Sequence, residues 1–172
     1  MPATVTALLR NLPALTGVPA AEIGQIEALM EVESVPADTV FTTSGRTAPA
    51  AFLVVSGIIN GSEGKGPDAP AARPHTEGDV FGLLSLAGDY PERRSAWCDQ
   101  PATVAALTRE SYDKLATTAP AAHRAFALMV TGALGAELDA VYAARRARIR
   151  ASLGDAAIDA DEKTRVAGRT LR

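Results

Sequence analysis

Between residues 32 and 108 the apolar residues come in short runs, and a turn signal interrupts them about every ten residues. Val32, Val35, Val40 and Phe41 lie between turn residues. Phe52-Leu53-Val54-Val55 closes on Ser56-Gly57, Ile58-Ile59 follow, and Thr103, Val104, Ala105 and Leu107 form a last short run. Strands this short must share a core with many neighbours, so the spacing predicts a small barrel or sandwich. Residues 60–78 hold Gly61, Gly64, Gly66, Pro67, Pro70, Pro74 and Gly78, a density of breakers that predicts a long hairpin or loop and no regular element.

Both flanks have a different period. Residues 5–31 read as helical: Leu8, Leu9, Leu12 and Leu15 form one stripe, and Pro19 opens a second helix with Glu22, Ile23, Ile26, Leu29 and Met30. Arg109 to Thr118 fits a short helix. Pro120 then starts a proline-free stretch to about Ser152, in which Phe126, Met129, Val130, Ala133, Leu138, Val141 and Ile149 recur at three- and four-residue spacing. Such a helix is about 45 Å long, more than a small barrel needs, and the excess implies a partner. The expected organisation is therefore N-terminal helices over 1–31, the β-region over 32–108, C-terminal helices over 109–152 and a poorly ordered or partner-held tail over 153–172.

Composition narrows the functional classes. A single domain is expected for 172 residues, and a net charge of −3 argues against non-specific nucleic-acid binding. One cysteine, Cys98, permits no intrachain disulfide and suggests a reducing compartment. Alanine accounts for 35 residues and aromatics for 5%, so close helix contacts through small side chains are expected. No run of about 18 apolar residues is evident, and Met1 to Arg10 lacks a basic leader followed by an apolar run. These features lead us to expect a cytoplasmic protein that does not enter a membrane.

The segment richest in chemistry is Gly78-Asp79-Val80-Phe81-Gly82-Leu83-Leu84-Ser85-Leu86, followed by Pro91-Glu92-Arg93-Arg94-Ser95-Ala96. Gly82 opens a short apolar turn whose first N–H groups suit an anion, and Arg94 with Ser95 adds a guanidinium fork and a hydroxyl. Together they suffice to hold one phosphate. Read from the residues alone, the same segment also fits a loop-to-turn stretch with surface arginines.

Several blocks in order resemble the cyclic nucleotide-binding domain family, the sensor of catabolite activator proteins and of protein kinase A regulatory subunits. They are Leu12-Pro13-Ala14-Leu15-Thr16-Gly17-Val18-Pro19 with Glu22 and Ile26, Pro36-Ala37-Asp38-Thr39-Val40-Phe41 with Ser44-Gly45, Phe52-Leu53-Val54-Val55-Ser56-Gly57, Gly78 to Gly82, and Arg94-Ser95-Ala96-Trp97. The resemblance covers most of residues 8–150. It implies an α+β fold, an antiparallel, jelly-roll-like β-roll with N-terminal helices and a long C-terminal helix. It also implies a ligand cassette of Gly82, Leu83, Leu84, Ser85, Arg94, Ser95 and Ala96 for cAMP, cGMP or a cyclic dinucleotide, with no further cofactor. A homodimer or protein contact through the long helix is implied too, at Phe126, Met129, Gly132, Gly135 and Leu138.

The sequence departs from the family pattern twice. Leu83 stands where the family usually has a glutamate for the ribose 2′-hydroxyl, and a buried hydroxyl left without that partner costs about 1–3 kcal/mol. Glu92 is a carboxylate on the other side of the cassette. Weak mononucleotide binding, another phosphorylated ligand, or a ligand-free fold kept for protein contacts all remain open. Only 22 residues follow Arg150, too few for the helix-turn-helix of the family's transcription factors, so no autonomous DNA binding is expected.

The remaining polar residues suggest no catalyst. His75 and His123 lack neighbours at metal-ligand spacing. Ser85 and Ser95 lack a His/Asp pattern for nucleophilic attack, and Cys98 beside Trp97 reads as a small strand residue. Arg145, Arg146, Arg148 and Arg150 read as a solvated face at a helix C-terminus, or as a local contact with an acidic partner or a nucleic acid. Glu137 and Asp139 lie where the family's helix covers the base, or on a solvated face. Gly132 and Gly135 sit inside the long helix, where each costs about 1 kcal/mol relative to alanine. Close approach of a second helix, or of the protein's own barrel, would offset that cost.

Overall fold

A computed structural model describes residues 4–63 and 71–153 of the chain. It comprises two compact units, Met1–Ala133 and Leu134–Arg172. The first begins with helix α1 (Val5–Asn11), a 3₁₀ turn (Pro13–Leu15) and helix α2 (Ala20–Leu29). Thr4 caps α1 by accepting from the Ala7 N–H at 3.2 Å. The Thr6 hydroxyl donates to the Glu27 carboxylate, joining α1 to α2. Leu8, Leu9, Leu15, Ile23 and Ile26 turn inward, as the helical stripes require.

Among the described residues eight strands follow: β1 (Glu31–Val35), β2 (Val40–Thr42), β3 (Ala50–Ser56), β4 (Ile59–Ser62), β5 (Ala71–His75), β6 (Val80–Phe81), β7 (Ser95–Trp97) and β8 (Ala102–Thr108). They pair antiparallel in two four-stranded sheets, ordered β1-β8-β3-β6 and β2-β7-β4-β5. This is the expected β-roll. Residues 60–78 are not the structureless loop read from their glycines and prolines. The strand β4 reaches Ser62, β5 occupies Ala71–His75, and the expectation for 64–70 lies outside the described residues. Proline-bearing β5 is an edge strand of its sheet, the position at which a missing N–H is tolerated.

Between the sheets lie Val35, Phe41, Phe52, Val54, Ile59, Phe81, Cys98 and Val104. Phe52 stacks on Phe81 at 5.1 Å between ring centroids, and Phe41 meets both edge-on at 5.4 and 5.6 Å. Four phenylalanines serve the whole chain, and three of them fill this one space, where alanines alone would leave voids.

Helix α3 (Arg109–Thr118) is capped by Thr108, which accepts from the Ser111 N–H. Burial pushes the Tyr112 phenol above its ordinary pKa, with the Arg109 charge opposing, and its ring stacks on His123 at 4.6 Å. Helix α4 (Pro120–Leu153) starts at a proline, as expected. Its first turn is capped from another element: Glu22 Oε2 accepts from the N–H groups of Ala121 at 2.7 Å and Ala122 at 3.0 Å. A charged acceptor on two helix N–H groups is strong. Glu22→Ala should lower the unfolding free energy by about 2 kcal/mol, read as a lower urea midpoint. An unchanged midpoint would show that solvent replaces the cap without cost.

Within the first unit, Ala122, Ala125, Phe126 and Val130 of α4 join the core. In the second unit α4 residues are mostly exposed, among them Leu138, Val141 and Tyr142. The expectation that no stretch is long and apolar enough to cross a bilayer needs correction. Pro120–Ala151 contains an 18-residue window of mean hydropathy 1.3, which suffices by length and composition. A helix dense in alanine and leucine reaches that value as a core helix as well as in lipid. The expectation for the tail beyond Leu153 lies outside the described residues.

Candidate functional site

The site is the connection between the two sheets. Strand β6 ends the first sheet and β7 lies inside the second, so residues 82–94 cross from one to the other. The crossing starts at Gly82, with φ 72° and ψ 19°, a left-handed conformation that L side chains rarely adopt. A Cβ there would stand 2.7 Å from the Ala50 carbonyl oxygen of β3. Glycine is thus required twice, by conformation and by space.

A 3₁₀ turn, Leu83–Leu86, follows Gly82. Leu84, Ser85 and Leu86 are buried and Leu83 is half-buried. Ser85 folds back on the turn, where its Oγ donates to the Gly82 carbonyl at 2.7 Å and its N–H donates to the same oxygen at 3.2 Å.

The second limb is fastened to the β2–β3 turn. The Glu92 N–H donates to the Arg46 carbonyl at 2.9 Å, and the Gly45 N–H donates to the Glu92 carbonyl at 2.7 Å. Thr42 Oγ1 donates to the Arg94 carbonyl at 3.0 Å. Glu92 Oε1 is shielded from solvent. Ser95 is 3% exposed, and its Oγ accepts from the Ser44 N–H at 3.0 Å. Ala96 is buried in the core between the sheets.

Arg94 emerges from this fastened backbone with its side chain 52% exposed. Its Nη2 lies 3.1 Å from Glu63 Oε1, while Arg93 Nη2 lies 3.4 Å from Glu63 Oε2. Two guanidinium groups therefore share one carboxylate. The cross-strand register explains the meeting: Ser62 pairs with Ser95, so the next residue of one strand faces the preceding residue of the other. Ser62, Ser95 and Thr42 are buried hydroxyls on the neighbouring strands β4, β7 and β2. Of these residues, the sequence reading singled out Arg94 and Ser95 as ligand residues, noted Ser44 only within the Ser44-Gly45 turn, and left Glu63, Ser62 and Thr42 unmarked. Only the β4–β7 register marks Glu63, and a sequence read as loop over 60–78 carries no register.

The residues expected to form a dimer helix separate into different environments. Phe126 is 2% exposed in the chain's own core, which corrects its assignment to a partner-facing surface. Its place in the helical stripe identified it as apolar and not which core would take it. Met129 is half-buried. Gly132 and Gly135 are exposed, and a Cβ on either would meet nothing within 4 Å. Leu138 is 55% exposed. Among the described residues of its own unit, Gly132 therefore has no close packing that offsets its cost.

No protein-family model and no curated protein sequence matches the chain. Solved structures do. The regulatory domain of Toxoplasma gondii PKA, crystallised with cAMP, aligns with a TM-score of 0.61 and 21% identity over 76% of this chain and 49% of that one. The catabolite activator protein of Thermus thermophilus aligns with a TM-score of 0.63 and 22% identity over 76% of this chain and 63% of that one. A cyclic nucleotide-binding protein of Geobacter metallireducens aligns with a TM-score of 0.59 and 18% identity over 79% of this chain and 99% of that one. The chain thus spans less than two thirds of the first two proteins and nearly all of the third.

Proposed function

Because the chain has the fold of the cyclic nucleotide-binding domains, we propose that it is a regulatory module binding a cyclic nucleotide, or a related phosphorylated ligand, at the crossing between its sheets. Gly82 to Ser85 supplies one side of the cassette, and Arg94, Ser95 and Ala96 supply the other. The observation that supports this most is the carboxylate of Glu63 held by Arg93 and Arg94. An acidic side chain already sits where the sequence reading puts an anion, on a limb whose backbone is fixed at Thr42, Gly45 and Arg46. Leu83 supplies no acceptor for a ribose hydroxyl, so the phosphate carries most of the affinity and tight binding is not expected.

Ligand binding biases α4 by its differential affinity for two helix states, and α4 carries the signal to a partner. Gly132, Gly135 and Leu138 are the surface for that partner, a second copy being the simplest. The protein acts as a regulator and not as a catalyst.

Calorimetric titration with cAMP, cGMP and cyclic di-GMP tests the reading. We expect micromolar or weaker binding of at least one, weakened about tenfold or more in Arg94→Ala, as loss of a charge-assisted hydrogen bond implies. Silence from all three with folded protein removes the sensor. A second reading, a ligand-independent assembly module, is favoured by Leu83 and by exposed Leu128, Leu138, Val141 and Tyr142 on α4. Light scattering with and without nucleotide separates the two: the sensor's oligomeric state responds to ligand and loses that response in Arg94→Ala, whereas the assembly module stays the same oligomer throughout.

A further inference from the structure

We infer that Glu63 sets the charge of the anion that this site accepts, acting as a built-in competitor for Arg93 and Arg94. The inference rests on the phosphate-binding reading proposed above. One Nη2 of each arginine faces a different oxygen of the Glu63 carboxylate, at 3.4 and 3.1 Å. An arriving phosphate must displace those oxygens or share the guanidinium groups beside them. Either way the Glu63 carboxylate stays beside the ligand, and its repulsion doubles from the one negative charge of a cyclic phosphodiester to the two of a phosphomonoester. The site would then reject the linear hydrolysis product of its ligand on charge, although product and ligand share base and sugar.

The position of Glu63 favours this role over a structural one. Its side chain is 47% exposed and those of Arg93 and Arg94 are 34% and 52% exposed. Pairs this solvated contribute little to folding, so the carboxylate can leave the arginines without unfolding the strand that carries it. Ser62, just before it, is fully buried in register with Ser95. Glu63 therefore returns to the same place whenever the anion leaves.

The test is titration of wild type and Glu63→Gln with 3′,5′-cAMP and with 5′-AMP at pH 8, where the monoester is dianionic because its second pKa lies near 6. Removing a neighbouring negative charge should tighten the monoanion about fivefold and the dianion about twentyfold, because the Coulomb repulsion doubles with ligand charge. The gain should disappear when Glu63→Gln is combined with Arg94→Ala, and the melting temperature of ligand-free Glu63→Gln should stay within about 2 °C of wild type. If wild type binds cAMP and Glu63→Gln gains nothing, or gains equally for both nucleotides, Glu63 sets no charge preference while the nucleotide site stands. If neither protein binds either nucleotide, the site itself fails, and the competitor with it.

Discussion

Phe126→Ala should be among the most destabilising single substitutions in the chain, costing about 4 kcal/mol. Phe126 is 2% exposed and leads the fully buried side chains in size. It lines an apolar cavity of about 10 Å³ together with Leu9, Met30, Ala51, Phe52, Leu53, Val80 and Leu107. That space is already marginal for one water and offers it no polar partner, so it stays dry. Truncating the ring enlarges an existing void whose walls are strand backbone and branched side chains, and collapse around it is limited. With a total stability of about 5–15 kcal/mol for a domain of this kind, the loss is a large share. Urea unfolding should show a midpoint lower by about 2 M, for a slope near 2 kcal/mol/M. Phe126→Leu should recover more than half of the loss. The loss should not depend on protein concentration, because the ring is buried by its own chain. A cost below about 1 kcal/mol, or one that vanishes on dilution, would return Phe126 to a partner interface.

The same residue marks what could be read from the sequence. The helical stripes over 5–31 and from Pro120 onward were legible because an amphipathic helix repeats its pattern several times, and each repeat reinforces the period. That Phe126 is apolar followed directly; that it lines a cavity with Leu9 and Leu107 of its own chain depends on where the chain returns after a hundred residues. Strand β5 was illegible for a local reason. Pro74 and the glycines before it carry the signature of a loop, and only the edge position in the sheet order makes a proline-bearing strand tolerable. The cassette lies between these cases. Gly82, Arg94 and Ser95 stood out through resemblance to a family, and the buried hydroxyl of Ser95 agrees with a residue facing inward. Glu63 did not stand out, because nothing in a single strand says which residue lies opposite. Its meeting with Arg94 is a consequence of pairing Ser62 with Ser95.

Gly82→Ala should cost about 3 kcal/mol and disable the crossing before any ligand is added. Two penalties combine. At φ 72° an alanine pays the left-handed strain of about 1–2 kcal/mol. Its Cβ would also stand 2.7 Å from the Ala50 carbonyl oxygen, 3.4 Å from Phe52 Cδ2 and 3.6 Å from the Ala51 Cα. Ala50 and Ala51 belong to β3, which is held between β8 and β6, so the nearest obstructing atom is sheet backbone and cannot rotate aside. The turn must move instead. The Gly82 carbonyl would carry Ser85 with it, since both the N–H and the Oγ of Ser85 donate to that oxygen. Gly17 provides the control: its φ is 83°, and a Cβ there meets nothing within 4 Å. Gly17→Ala should therefore show the strain alone, about 1 kcal/mol. The excess of Gly82→Ala over Gly17→Ala in chemical denaturation measures the collision with β3. Equal losses would mean that the turn relaxes freely away from the strand, and that the cassette is not held in place by the sheet it leaves.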